Sequence, residues 1–432
     1  MNYYSLERNS IDVNFKEAVI RGIAPDRGLY FPEHIRPLPS SFFKDINILT
    51  DVEIAFRAMR QFVHPEIPEE KLREILELTL DFDFPLVPIE NGVASLELYH
   101  GPTMAFKDVG ARFMAHCLGY FSKDSDKEVT VLVATSGDTG GAVANGFLGV
   151  EGVKVVILYP SGKVSDIQER QLTTLGKNIT ALEVNGTFDD CQAMVKSAFL
   201  DDELEGRVQL TSANSINVAR WLPQMIYYFL AYKMMPDKSK PLVFAVPSGN
   251  FGNICAGMVA QRLGLPVSHF VAATNINDTV PKFMKSGKYL PKPSSPTISN
   301  AMDVGDPSNF VRILHLYKDQ LQNLAGMFSS YSFSDSMTKK AMADLYKRTG
   351  YIADPHGAVG YLGLKKFQAS QPDCYGIFLE TAHPIKFRKV VEKTLNTTLE
   401  VPEQIKAVLD KDKTSIPLKT YEELRSYLLS AN

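Results

Sequence analysis

Val129-Thr130-Val131-Leu132-Val133-Ala134-Thr135-Ser136-Gly137-Asp138-Thr139-Gly140-Gly141 reads as a buried strand running straight into a turn rich in glycine and hydroxyl groups. Residues 129–133 are apolar or β-branched and carry no charge, as expected of a strand covered on both faces. The turn, 134–141, lies ahead of a predicted helix. It would present backbone N–H groups and hydroxyls at the positive end of that helix, which is an anion site. Glycine is needed there because the backbone must approach the anion closely.

The same grammar recurs along the chain. Short apolar runs stand at 153–158, 179–184, 208–211, 242–246, 270–273 and 376–379, and helix-like stretches separate most of them. One helix is well signed: Ser165 with Gln168 forms a capping box, and Gly176 is a stop. This alternation predicts an α/β fold with doubly wound parallel sheets, which bind ligands at the carboxyl ends of their strands. Two further junctions lie at such ends. Pro247-Ser248-Gly249-Asn250-Phe251-Gly252-Asn253 is as strong as the first, and Tyr159-Pro160-Ser161-Gly162-Lys163 adds a cation. One such turn is as often a plain helix cap. Two strong ones in a chain predict a ligand or ligands with two anionic groups.

Ahead of this pattern, 15–20, 54–62 and 71–80 read as helices and Gly28-Leu29-Tyr30-Phe31-Pro32 as a short strand. The expected organisation is a mostly helical N-terminal segment, 1–90, a first α/β domain, 91–235, and a second, 236–432, with the ligand between the two. Pro291-Lys292-Pro293-Ser294-Ser295-Pro296 is a surface loop or lid candidate.

Composition narrows the function class. The 432 residues are 45% hydrophobic with a formal charge of −3, which suits two domains and an appendage and gives no footprint for nucleic acid or a membrane surface. Cys117, Cys191, Cys255 and Cys374 are far apart and form no CxxC, so free thiols are expected and no metal site. The first residues have neither signal-peptide nor transit-peptide character, and no apolar run would span a bilayer, so the expected location is the cytoplasm. GxxxxGK[ST], GxGxxG after a strand, and GxSxG are all missing, which excludes P-loop, dinucleotide and nucleophile-elbow readings at this level.

The reactive group is sought in His100-Gly101-Pro102-Thr103-Met104-Ala105-Phe106-Lys107-Asp108. Lys107 follows an apolar tripeptide and precedes a predicted helix, 109–118. Partial desolvation favours the neutral amine, the form Schiff-base chemistry requires. A snorkelling surface lysine is the plain alternative for any one lysine.

Pro-Thr-x-Ala-Phe-Lys-Asp resembles the cofactor-lysine motif of the fold-type-II pyridoxal-phosphate enzymes. Within that group the chain resembles the threonine synthase family, from about residue 20 to about residue 390. The likeness is carried by Leu98-Tyr99-His100-Gly101-Pro102-Thr103, by Asp138 where cysteine synthases have Asn, and by Ser212-Ala213-Asn214-Ser215-Ile216-Asn217. Asn300-Ala301-Met302-Asp303-Val304, Thr381-Ala382-His383-Pro384 and Gly28–Pro32 match as well.

The resemblance implies two α/β domains with the active site between them and pyridoxal 5′-phosphate held on Lys107, the base that moves protons at Cα and Cβ. It implies that Ser248, Gly249, Asn250, Phe251, Gly252 and Asn253 cradle the cofactor phosphate. Ser136, Gly137, Asp138 and Thr139 would hold the substrate carboxylate, Asp138 also lying near the ring hydroxyl, and Thr381 would face the pyridine nitrogen. The substrate implied is O-phospho-L-homoserine, a small molecule with its own phosphate. Lys163 and Arg220 are the candidate cations for that phosphate, with Asn214, Asn217 and Ser161 as donors. His356 and His383 invite a general-acid role, but the leaving phosphate can itself carry protons and a histidine beside Thr381 can serve only to position the loop. Two rivals remain at this stage: a phospho-lyase on the same scaffold releasing a 2-oxo acid, and a non-catalytic cofactor-binding homologue. The assembly expected is a monomer or homodimer.

Overall fold

The computed structural model describes residues 1–123, 128–318 and 320–430. At the N-terminus β1 (Asn2–Ser5) pairs antiparallel with β2 (Val13–Asn14) and β3 (Tyr30–Pro32). The segment expected to be mostly helical therefore carries a small sheet beside its helices Phe15–Arg21, Ser40–Asp45, Asp51–Val63 and Glu69–Thr79. Strands of two to four residues are too short to print a period-two pattern. The helix Asp51–Val63 shows why its sequence folds so. Thr50 caps it by accepting from the Glu53 N–H, and Ile54, Ala55, Ala58, Met59 and Phe62 form one buried stripe.

The remaining strands are β4 (Leu86–Glu90), β5 (Val93–Glu97), β6 (Val129–Ala134), β7 (Val153–Pro160), β8 (Ile179–Val184) and β9 (Gln209–Ser212), then β10 (Leu242–Pro247), β11 (Val267–Thr274), β12 (Phe328–Ser332), β13 (Tyr375–Glu380) and β14 (Ile416–Leu418). They form a six-stranded sheet, β12-β11-β10-β13-β5-β4, and a five-stranded sheet, β14-β8-β7-β6-β9. Pairing is parallel throughout except for β4 with β5. Helices alternate with most of these strands, as expected for an α/β fold.

The sheets do not follow the contiguous division expected at 91–235 and 236–432. β5, just ahead of Lys107, lies beside β13 of the larger sheet, with Val93 opposite Gly376 and Glu97 opposite Glu380. β14, from the C-terminus, closes the smaller sheet against β8. Strand pairing is a long-range choice that local pattern does not encode. Its consequence is functional: β5 and β13 deliver the Lys107 approach and Thr381 side by side.

One buried cation binds several segments together. Arg312, fully enclosed, donates to the carbonyls of Tyr30 (3.0 Å), Ser215 (3.1 Å) and Ile216 (2.6 Å) and to Asn309 Oδ1 (2.6 Å). It lies 4.6 Å from the Trp221 ring. Both terminal nitrogens of the guanidinium are paired, while its Nε has no partner among the described residues, and these four bonds hold β3, the 215–216 turn and the residues before helix Phe310–Leu316 as one unit.

Candidate active site

Lys107 is held by its approach segment. Phe106 N–H donates to the Thr381 carbonyl (2.9 Å), and Ala105 forms a bridge with Ala382. The Thr103 N–H donates to Asp108 Oδ2 (2.9 Å) and its hydroxyl to Asp108 Oδ1, while Tyr227 OH donates to the Phe106 carbonyl. Lys107 then opens the helix Lys107–Ser122. Burial pulls its pKa down to about 8; Asp138 opposes this, and Lys386 and Arg220 add to it. The desolvated amine expected from the sequence is thus in place.

The turn after β6 is built around Thr135, whose Oγ1 accepts from Gly137 N–H (2.9 Å) and Gly140 N–H (2.8 Å). Gly137 has φ 135°, and a Cβ there would lie 2.4 Å from the Gln168 side chain. This leaves Ser136 and Thr139 lining a cavity, with Gly137 itself turned toward Gln168. Asp138 is buried and accepts from Lys386 Nζ (2.7 Å) and Gln168 Nε2 (3.0 Å). Burial alone would raise its pKa, but Lys386 and Lys107 more than reverse that and hold it well below the usual carboxylate range.

Across the cavity, β10 runs into the turn 248–253. Ser248 is anchored by its N–H to Ala273 O (2.8 Å) and by its hydroxyl to Val246 O (2.8 Å). Phe251 has φ 60° and leads into the helix Gly252–Arg262. Asn250 donates to Ser215 Oγ (2.9 Å) and accepts from Ser308 N–H (2.6 Å). Asn253 Oδ1 accepts from Tyr228 OH (2.5 Å), while its buried Nδ2 has no partner among the described residues. Gly249 is packed so closely that a Cβ would lie 2.7 Å from Met302 Cα.

The cavity between these turns measures about 470 Å³. It brings together Lys107, Ser136, Asp138, Thr139, Asn214, Arg220, the turn 248–253 and Thr381. Helix Phe188–Ala198, through Asp189, Gln192 and Lys196, and the loop residues Lys292, Pro293 and Ser294 also line it. Arg220 is buried; its Nη1 donates to Ala213 O (2.6 Å), and its Nε has no partner among the described residues. Burial lowers its pKa to about 10. A guanidinium with a donor to spare suits an incoming anion.

Besides Gly137, four candidates are not brought to the cavity: Ser161, Lys163, Asn217 and His383. Ser161 and Lys163 are exposed beyond the end of β7, where the Ser161 hydroxyl donates to Glu183 (2.5 Å). Asn217 is buried, caps the helix Val218–Trp221 through its Oδ1 to Ala219 N–H, and donates to the carbonyls of Val19 and Ser212. Its side chain is fully used in structure. His383 caps the turn Pro384–Phe387, and burial lowers its pKa to about 4. His356 lines the cavity, but its Nδ1 meets Asp354 (2.5 Å) and its Nε2 accepts from Ala301 N–H (3.2 Å). Both ring nitrogens are engaged, which leaves neither free to meet a substrate.

Comparison with known proteins fits this site. Residues 85–373 match the family model for pyridoxal-phosphate dependent enzymes, 2–80 the threonine synthase N terminus and 357–428 the threonine synthase C-terminal model. Threonine synthase of Escherichia coli is 43% identical over 422 residues, spanning 98% of this chain and 96% of that protein. The chain belongs to the threonine synthase family. The crystal structure of the Escherichia coli threonine synthase superposes with a TM-score of 0.94 at 42% identity, with complete coverage of both chains. That of pyridoxal-phosphate-bound threonine synthase from Brucella melitensis gives 0.92 at 31% identity, covering 100% of this chain and 99% of that one.

As in other pyridoxal-phosphate enzymes, a threonine synthase must hold an aldehyde and a phosphate, and the residues fit. The turn 248–253 offers main-chain N–H groups, the spare amide of Asn253 and a close approach at Gly249; Lys107 offers an amine. Sequence reasoning missed Lys386, the fully buried partner of Asp138, and Ser215, whose Oγ accepts from Asn250 and Asn309. It read Gln168 only as a capping residue. The Gln168 side chain does close the capping box, but its amide also reaches Asp138. The signal for Lys386 was its place in Pro384-Ile385-Lys386-Phe387, a lone lysine in an apolar run after the Thr381 motif.

Proposed function

We propose that this chain converts O-phospho-L-homoserine and water to L-threonine and phosphate, with Lys107 carrying the cofactor. The observation that carries the reading is that Lys107, the 248–253 turn and the anion donors Asn214 and Arg220 line one cavity. When bound, pyridoxal phosphate supplies the electron sink that makes carbon acids of Cα and Cβ.

The chain's own residues do the rest. Lys107, once displaced by the substrate amine and about half neutral at pH 8, takes the proton at Cα and then one at Cβ. Ser136 and Thr139 offer hydroxyls to the substrate carboxylate, with the turn around Gly137 setting their geometry. Asp138 and Thr381 line the same cavity, where Asp138 would hold the ring hydroxyl and Thr381 the ring nitrogen of the bound cofactor. A neutral hydroxyl at the nitrogen, rather than a carboxylate, suits elimination and replacement better than transamination. Arg220 and Asn214 hold the phosphate that leaves from Cγ, after which a proton is returned to Cγ, water adds at Cβ and a proton is returned to Cα. Helix Phe188–Ala198 and the 292–294 loop stand where closure would exclude water until the phosphate has gone. The reading includes a cytoplasmic protein acting as a monomer or homodimer on a small-molecule substrate.

The test is product identification after incubating the cofactor-loaded chain with O-phospho-L-homoserine. Threonine and phosphate in equal amounts support the reading; 2-oxobutyrate with phosphate would move the assignment to the phospho-lyase.

A further inference from the structure

Lys386 is wholly enclosed, on the short turn Pro384–Phe387 that follows β13. A buried ammonium is costly unless it is paired and hydrogen-bonded. Its Nζ has two partners, Asp138 Oδ1 at 2.7 Å and the Thr103 carbonyl at 2.9 Å. Asp138 opens the helix after β6, and Thr103 belongs to the approach to Lys107. The helix Asp166–Thr173 joins the same two points again, with Gln168 donating to Asp138 (3.0 Å) and Gln171 to the Thr103 carbonyl (3.1 Å). Lys107 makes no ion pair among the described residues. The charge of Asp138 is therefore matched within the site by a lysine other than the reactive one.

We propose that Lys386 is a positioning residue that balances the charge of Asp138, so that the pair presents no net charge to Lys107 and leaves its amine free to be neutral. The charged groups that act on Lys107 are Asp138 from the turn after β6, Lys386 from the turn after β13 and Arg220 from the helix Val218–Trp221; Asp189, Lys196, Lys292, Asp303, Asp306 and His356 line the same cavity. Without Lys386, Asp138 is an unbalanced anion that makes Lys107 hold its proton more tightly. Without both charges, the balance returns. A brace of no electrostatic consequence would behave differently: loss of Lys386 would matter equally whether or not Asp138 kept its charge. The inference rests on the reading of Lys107 as the cofactor lysine. The measurement does not, because it follows the amine itself and leaves turnover to the product assay.

The experiment is competitive acetylation of the full-length, cofactor-free chain with isotopically labelled acetic anhydride across about pH 6 to 10, spanning the shifted and ordinary lysine range. Lys107 is followed by peptide mass spectrometry in wild type, Lys386→Met and Lys386→Met/Asp138→Asn. At pH 8 the single variant is expected to lose about tenfold in Lys107 reactivity, and the double variant to return within about threefold of wild type. An unchanged titration in Lys386→Met would overturn the proposal, as would failure of the double variant to recover. If Lys386→Met does not fold, the double variant decides: wild-type-like reactivity supports charge balance, and a tenfold loss refutes it.

Discussion

Gly249→Ala puts one methyl group where the structure has no room for it. The added Cβ would lie 2.7 Å from Met302 Cα and 2.9 Å from the Ala301 carbonyl oxygen, both main-chain atoms that cannot rotate away. The φ of Gly249 is not in the left-handed region, so alanine adds no backbone strain of its own and the effect isolates close packing. Either the 248–253 turn or the 299–304 segment must move. Overpacking of this kind costs about 1–3 kcal/mol, and the turn that shifts is the one assigned to the cofactor phosphate. Expressed on cofactor affinity, that is a weakening of roughly 5- to 150-fold. The assay is titration of the cofactor-free chain with pyridoxal phosphate, read by absorbance, with denaturant unfolding measured in parallel to separate binding from stability. Gly326→Ala, where nothing lies within 4 Å of the new Cβ, is the control. Cofactor affinity within twofold of wild type in Gly249→Ala would refute the close-approach reading of the turn.

Other expectations follow from the same geometry. Because burial lowers the Lys107 pKa to about 8, the rate of cofactor loading should rise with pH up to about 8, level off above it, and fall about tenfold per unit below it; a rate flat from about pH 6 to 9 would contradict this. Arg220→Met should raise KM for the phosphorylated substrate at least about tenfold, the loss of a charge-assisted hydrogen bond, whereas Lys163→Ala should leave KM within about twofold; steady-state kinetics with the two variants side by side checks both. Arg312→Met strips donors from the buried Tyr30 carbonyl, the part-buried carbonyls of Ser215 and Ile216, and Asn309, so unfolding in denaturant should show a loss of about 1–3 kcal/mol. Burial and the nearby Asp354 raise the Glu380 pKa, so the carboxyl favours its neutral form. Its contribution to stability is present at low pH and lost as pH rises through its folded pKa, and Glu380→Gln should cost under about 1 kcal/mol and lack that loss in unfolding measured against pH.

Much of the site was legible because its chemistry is local. A strand followed by glycine and hydroxyl residues is one contiguous signal, and both strong turns, 134–141 and 247–253, line the same cavity. Arg220 and Asn214 could be named from the resemblance because they follow β9 in one short run. The third turn misled: Ser161 and Lys163 have the right residue types, but they lie beyond β7 and outside the cavity, and residue type does not report direction. Asn217 failed for a different reason, since an Asn before a helix is first a cap. What stayed hidden were partnerships across long sequence distances. Lys386 and Asp138 are far apart in the chain, and β5 with β13, or β14 with β8, pair only through the folded topology. The strand Phe328–Ser332, mostly serine, has no apolar run to announce it; it is ordered at a sheet edge by β11.

The claim on which everything else stands is that Lys107 bears the cofactor in the cavity between the two turns. Borohydride reduction of the loaded chain, followed by proteolysis and mass mapping of the phosphopyridoxyl group, tests it directly. The expected result is a single label on the peptide containing Lys107, absent in Lys107→Ala. A label on Lys386 or on another lysine, or none at all, would contradict the account.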